Sequence, residues 1–151
     1  MAVSIKDLAI SSPDIPDLAR IPDEFAKDGG NRAPRLVITG VPEGTVELTV
    51  VMHDPDAPMP QGFTHWVLHG IRPAETVEAT PASGRGGPNS TGESTYVGPY
   101  PPAGHGEHHY YFWVYALSTA VEGEPGREQF LADYADSIIE QARFVATYSV
   151  E

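Results

Sequence analysis

One stretch organises this chain: it reads TVELTVVM over residues 45–52 and HDPDAP over residues 53–58. In the first part, apolar residues alternate with Glu47 and Thr49, which predicts a β-strand with one polar and one apolar face. The second part stops the strand, because each proline fixes its own φ and restricts the residue before it. The two aspartates therefore lie in a rigid acidic corner, where side chains can be aimed at a ligand.

The composition predicts one globular domain that spans residues 1–151. Hydrophobic residues make up 40% of the chain and charged residues 20%, which is the usual range for a soluble globular fold. A net charge of -12 argues against nucleic acid as a partner, because a polyanion would be repelled. No run of 18 apolar residues exists, so stable insertion into a membrane is not expected.

Cysteine usage and the start of the chain bear on redox chemistry and location. The chain has no cysteine, so disulfides and thiolate metal sites are excluded. The first ten residues carry Lys6 and Asp7 within their apolar pattern and lack the apolar core of a secretory signal. We therefore expect a cytoplasmic protein.

Short strands separated by turns dominate the rest of the chain, as 15 prolines and 15 glycines would suggest. The hydrophobic pattern predicts further strands over Val3–Ile10, Leu36–Ile38, Phe63–Ile71, His108–Leu117 and Arg143–Val150. One helix is predicted over Arg127–Gln141, where apolar residues recur at helical spacing. The fold class that follows is mainly antiparallel β with a C-terminal helix.

Two longer segments are predicted to be loops. Ser11–Asn31 is rich in Pro, Asp and Gly, and it should form an ordered loop over the core. The residues expected to pack beneath it are Ile15, Leu18, Ile21 and Phe25. Pro81–Thr95 is rich in Gly, Ser, Thr and Asn, so we expect a surface loop and the most mobile part of the chain.

Strand periodicity then suggests where polar side chains converge. With a strict period of two, His65 shares a face with Phe63 and His69, and Trp66 takes the opposite face. In the last aromatic strand, His108 and Tyr110 begin one apolar face. Taken singly, each histidine is more often a surface or core residue, and Asp beside Pro is ordinary turn chemistry. Taken together, these groups predict a pocket above a packed core.

Four ordered motifs resemble the phosphatidylethanolamine-binding protein (PEBP) family, which includes the Raf kinase inhibitor proteins. They read DPDAP at 54–58, THWVL at 64–68, GPYPPAG at 98–104 and HHY at 108–110. The short loops resemble the prokaryotic branch of that family. The resemblance implies a large antiparallel sheet packed on a smaller one, a Greek-key type of β-sandwich. It also implies a pocket for a small anion or a phosphoryl head group.

Carried over position by position, the resemblance implies that the following residues line the pocket: Asp54, Asp56, His65, Gly98, Tyr100, Pro101, His108 and Tyr110. An aspartate beside an imidazole holds its tautomer and favours its cationic form, so Asp54 is expected to orient His65 or His108. Two positions depart from the family pattern. His109 stands where an arginine is usual, and Tyr100 stands where a small residue is usual, which would narrow the pocket.

Three functional hypotheses remain open from the sequence. The leading one is a binding module for a small anion, without catalysis and without a cofactor. The alternative is a hydrolase or metal-dependent enzyme that uses the Asp/His cluster, since these side chains suit zinc or another divalent ion. The third is regulation through protein contact, by analogy with kinase inhibition in relatives. A homodimer is also conceivable through the aromatic strand and the C-terminal helix.

Overall fold

The structure is a computed structural model that describes residues 7–151. Its strands are β1 Ala9–Ser11, β2 Leu36–Thr39, β3 Glu47–Asp54, β4 Phe63–Ile71, β5 Thr76–Ala79, β6 Arg85–Gly87, β7 His108–Leu117 and β8 Ile138–Tyr148, and the helix α1 is Arg127–Tyr134. They form a three-stranded sheet, in the order β1-β2-β5, and a five-stranded sheet, in the order β6-β4-β3-β7-β8. Every pair of neighbouring strands is antiparallel. The predicted fold class is therefore confirmed.

Strand β3 lies at the centre of the large sheet, and both of its faces are buried. Glu47 and Thr49 lie on the face opposite Leu48 and Val50, as predicted, and this face is buried as well, because Phe130 of α1 and Val121 pack on that side of the sheet. Glu47 Oε1 accepts hydrogen bonds from the backbone N–H groups of Gly70 at 3.0 Å and Val121 at 3.2 Å. The buried carboxylate thus accepts hydrogen bonds from two backbone N–H groups that are not paired within the sheet.

Two β-bulges in the pairing of β3 with β4 break the period of two. One lies at His65, since Met52 is opposite Trp66 while His53 is opposite Thr64. The extra residue places His65 on the same side of the sheet as Trp66, in contact with the ring of Tyr110. The other bulge separates His69 from the face of Ile71. The predicted grouping of His65 with His69 is therefore wrong.

The main core lies between the two sheets, and the loop before β2 closes one side of it. Ile15, Ile21 and Phe25 are buried beneath that loop as predicted, and short 3₁₀ turns shape it. Leu18 does not pack there: its side chain is 74% exposed. Its φ of 65° lets its backbone N–H bond to Val145 O at 2.7 Å, and the side chain then points into solvent.

In the last third of the chain, the observed secondary structure differs most from that predicted from the sequence. The helix ends at Tyr134, and β8 begins at Ile138, five residues before the predicted strand. Apolar residues 138 and 139 continue the helical spacing by chance, but pairing along the whole of β7 stabilises the extended form. The predicted loop Pro81–Thr95 contains the edge strand β6, which pairs with β4.

Residues 3–6 of the first predicted strand lie outside the described part of the chain. Within residues 7–151, no helix has both the length and the apolar character needed to cross a bilayer.

Candidate functional site

Asp54 is the last residue of β3, and its buried side chain joins the acidic corner to the aromatic strand β7. Its Oδ1 accepts the backbone N–H of Asp56 at 2.7 Å, which holds the turn. Its Oδ2 accepts a hydrogen bond from His108 Nδ1 at 2.7 Å. Of the two histidines considered from the sequence, Asp54 therefore orients His108.

Asp56 points the other way, toward the protein surface. One carboxylate oxygen accepts the backbone N–H and the Nδ1–H of His109, both at 2.7 Å. Burial acts to raise the pKa of Asp56, but the hydrogen bonds from His109 outweigh it and lower the pKa below its ordinary value. Asp56 does not line the pocket and instead ties the corner to β7.

His65 is buried beside Tyr110, with ring centroids 5.2 Å apart. Its Nδ1–H donates to the backbone carbonyl of Val97 at 2.7 Å. Burial lowers the pKa of His65 to about 4, and the Val97 carbonyl only partly opposes this effect. His65 is therefore a neutral imidazole near pH 7, and it is not the ring that Asp54 orients.

Gly98 supports the site from behind and does not line it. Its N–H donates to Asn31 Oδ1 at 2.7 Å. A Cβ at this position would lie 2.0 Å from the carbonyl oxygen of Phe25, so only glycine lets these backbone segments meet. Two residues on, Tyr100 lies at the pocket mouth, edge-on to Phe63, with Lys27 Nζ 4.5 Å above its ring.

These groups enclose one pocket of about 330 Å³ at the end of β3, β4 and β7. Six of the eight residues named from the sequence line it: Asp54, His65, Tyr100, Pro101, His108 and Tyr110. The lining residues that were not named are Ala57, Pro58, Met59, Phe63 and Pro102. Most of these lie inside the motifs already quoted. They could have been predicted by including every residue of each motif in the pocket.

His105 is a further residue that the sequence reasoning missed. Its Nδ1 lies 2.8 Å from His108 Nε2, so Asp54, His108 and His105 form one hydrogen-bonded chain. The carboxylate accepts from His108 Nδ1–H, and His105 Nδ1 lies against the other nitrogen of the same ring. The signal was its position three residues before His108, in a loop between Gly104 and Gly106. Among residues 7–151, no group of three acidic or histidine side chains is arranged to hold a metal ion.

The buried histidines predict that stability falls in mild acid. Burial, followed by the charge of Arg127, lowers the pKa of His53 to about 4, as burial does for His65. Both rings bind a proton more tightly in the unfolded chain than in the folded one. Their contribution to the free energy of unfolding is therefore complete above pH 6.5 and declines as the pH falls to about 4. We expect each to contribute roughly 1–3 kcal/mol to this decline.

Chemical denaturation at a series of pH values in this window would measure that decline. His53→Gln should flatten the curve, because it removes one of the two buried rings whose pKa is lowered. A free energy of unfolding that is constant across the window would show that these rings do not remain neutral in the fold.

Comparison with known proteins bears on both fold and family. The family model described as phosphatidylethanolamine-binding protein matches residues 11–149. CT736 from Chlamydia trachomatis, described as a homolog of PEBP, aligns with a TM-score of 0.86 and 28% identity, covering 97% of this chain and 100% of CT736. YbcL from E. coli, described as a member of the mammalian PEBP family, aligns with a TM-score of 0.87 and 26% identity, covering 96% of this chain and 99% of YbcL.

A relative in sequence corrects the expected location. The Mycobacterium tuberculosis protein named "Putative lipoprotein LppC" is 41% identical over 97% of this chain and 75% of its own length. The expectation of a cytoplasmic protein is wrong by this comparison. It rested only on the first ten residues of the sequence.

The residues, the fold and the comparisons agree on the family. The four motifs lie within the matched range 11–149. Six of the residues that the resemblance named meet in one pocket, and two bacterial structures of the same family superpose on nearly the whole chain. This chain belongs to the phosphatidylethanolamine-binding protein family, in its short prokaryotic branch.

Proposed function

We propose that this protein binds a small oxyanion, such as phosphate or the phosphoryl part of a head group, in the pocket between His65 and His108. The observation that carries the proposal is the convergence of oriented polar groups at the base of an otherwise apolar pocket. Family membership supports it, since the family is described by its binding of phosphatidylethanolamine.

The pocket suits one small polar group better than a large polar ligand. Its lining is mostly proline, methionine and aromatic side chains, and its polar members Asp54, His65, His108 and Tyr110 are all buried. The Tyr110 hydroxyl supplies a donor there, and burial followed by the charges of Asp54 and Asp56 raises its pKa well above the usual value. The hydroxyl therefore stays protonated and able to donate at neutral pH.

His108 makes an anion tolerable beside Asp54. The imidazole covers the carboxylate through a 2.7 Å hydrogen bond, and both side chains are 4% exposed. Without the ring, the carboxylate would face the pocket and repel an anion at short range. His108 thus acts on the ligand both as a wall of the pocket and as the partner that screens Asp54.

Thermal unfolding with inorganic phosphate tests the proposal. A ligand that binds only the folded state raises Tm, and we expect phosphate to do so at millimolar concentration. His108→Ala should lose this rise. Tyr110→Phe, which removes only a hydroxyl, should weaken it even if His108→Ala folds poorly.

Tyr111→Phe is the matched control, because it removes a hydroxyl from the next residue of β7, which does not line the pocket. It should retain the response of the wild-type protein. If neither phosphate nor phosphoethanolamine raises Tm of the wild-type protein, the proposed function is wrong.

A further inference from the structure

His65 offers the pocket a hydrogen-bond acceptor, although it belongs to a site proposed for anions. Its Nδ1–H is committed to the Val97 carbonyl at 2.7 Å, because a carbonyl oxygen can only accept. The neutral ring carries one proton, so Nε2 keeps a bare lone pair. The depressed pKa of His65 agrees with this tautomer, since burial disfavours a second proton.

That lone pair is open to the pocket. His65 is one of the lining residues, and no hydrogen-bond donor among residues 7–151 is bonded to its Nε2. Nor is Nε2 one of the fully enclosed polar atoms that lack a partner in the described chain. It is therefore within reach of a ligand, and it requires one that brings a hydrogen.

Tyr110 supplies the complementary group. Its ring lies 5.2 Å from that of His65, and its hydroxyl has no hydrogen-bond partner among the described residues. A donor and an acceptor on neighbouring side chains match an acid group that has one charged oxygen and one protonated oxygen. The charged oxygen would accept from Tyr110, and the protonated oxygen would donate to His65.

The charges of the lining residues also favour a protonated, singly charged ligand. Asp54 lies in the lining, and no lysine or arginine among residues 7–151 does; Lys27, at the mouth, lies over the Tyr100 ring. A second negative charge on the ligand would therefore lie beside the Asp54–His108 pair and the bare imidazole nitrogen of His65, with no cation in the lining to offset it. A singly charged ligand that donates one hydrogen bond avoids both penalties.

We propose that the site selects a protonated oxyanion, in which one acid hydrogen donates to His65 Nε2, and rejects oxyanions of the same shape that lack that hydrogen. This inference rests on the proposed function and specifies its ligand class as dihydrogen phosphate, a phosphate monoester or a phosphonate, each in the singly charged form. Sulfate and sulfonates, which hold no proton near neutral pH, are excluded.

Methylphosphonate and methanesulfonate are the probes, because they are close in shape and differ by one acid hydrogen. At about pH 6 a phosphoryl group keeps much of its second proton, so the two ligands carry similar charge. Affinities from calorimetric titration should differ by about tenfold or more in favour of methylphosphonate, since an unpaired buried acceptor costs on that scale.

His65→Phe keeps a ring in the pocket and removes the acceptor, so it should abolish the preference. Tyr111→Phe, which changes an aromatic side chain of β7 that does not line the pocket, should keep it. Equal affinity of the wild-type protein for the two ligands overturns the inference and leaves the anion site standing. Absence of binding by both ligands and by inorganic phosphate overturns the anion site itself.

Discussion

Gly98→Ala is expected to lower the free energy of unfolding by about 3 kcal/mol, because the new methyl group collides with backbone atoms. The Cβ would lie 2.0 Å from Phe25 O and 2.8 Å from both Ala26 C and Lys27 N. No rotamer change relieves such contacts, so one of the two backbone segments must move. For a chain of this size, the loss corresponds to a decrease in Tm of about 6–12 °C.

Gly126→Ala is the matched control. Gly126 has a φ of −72°, and the nearest atom to its added Cβ is 3.4 Å away. That substitution should change the free energy of unfolding by less than about 1 kcal/mol. Similar losses in the two variants would show that close approach at Gly98 is not what requires a glycine there. Circular dichroism during heating would report both Tm values.

The second large effect is expected at the buried pair of Asp54 and His108. Removing one partner leaves the other polar group buried and unpaired, so His108→Ala should destabilise the fold by about 3–5 kcal/mol. The hydrogen bond is 2.7 Å long, and both side chains are 4% exposed. A double-mutant cycle with Asp54→Asn and His108→Gln should give a coupling energy of about 1–3 kcal/mol.

The chain provides its own control for that cycle. Asp56 and His109 form a pair of the same length, 2.7 Å, but their side chains are 40% and 47% exposed. Solvent screens exposed pairs, so the coupling energy of Asp56→Asn with His109→Gln should be below about 1 kcal/mol. Equal coupling in both cycles would contradict the claim that burial makes the Asp54–His108 pair strong.

How much of the fold can be predicted depends on whether local sequence or contact with a distant strand decides each element. The bounds of β4 and β7 were predicted to the residue, because both strands are long, apolar and flanked by turn residues. The end of α1 was not predicted, because residues 138 and 139 fit a helix as well as a strand. Pairing with β7, about 20 residues earlier in the chain, decides between the two forms.

The acidic corner shows the same division within the site. Its rigidity and its two carboxylates can be seen in the sequence, but the two aspartates have different tasks in the structure. Asp54 bonds His108 inside the pocket, whereas Asp56 bonds His109 at the surface. A β-bulge at His65 turns that ring toward Tyr110, and no local pattern in the sequence marks the bulge.

The sequence by itself determined the class of fold, the family and the motifs that build the pocket, because hydrophobic alternation and turn residues are local signals. Only the tertiary structure decided which carboxylate meets which imidazole, since those partners are 54 and 53 residues apart in the chain. It also decided that His65 is neutral. That property comes from burial, which arises only when distant strands and loops close over the ring.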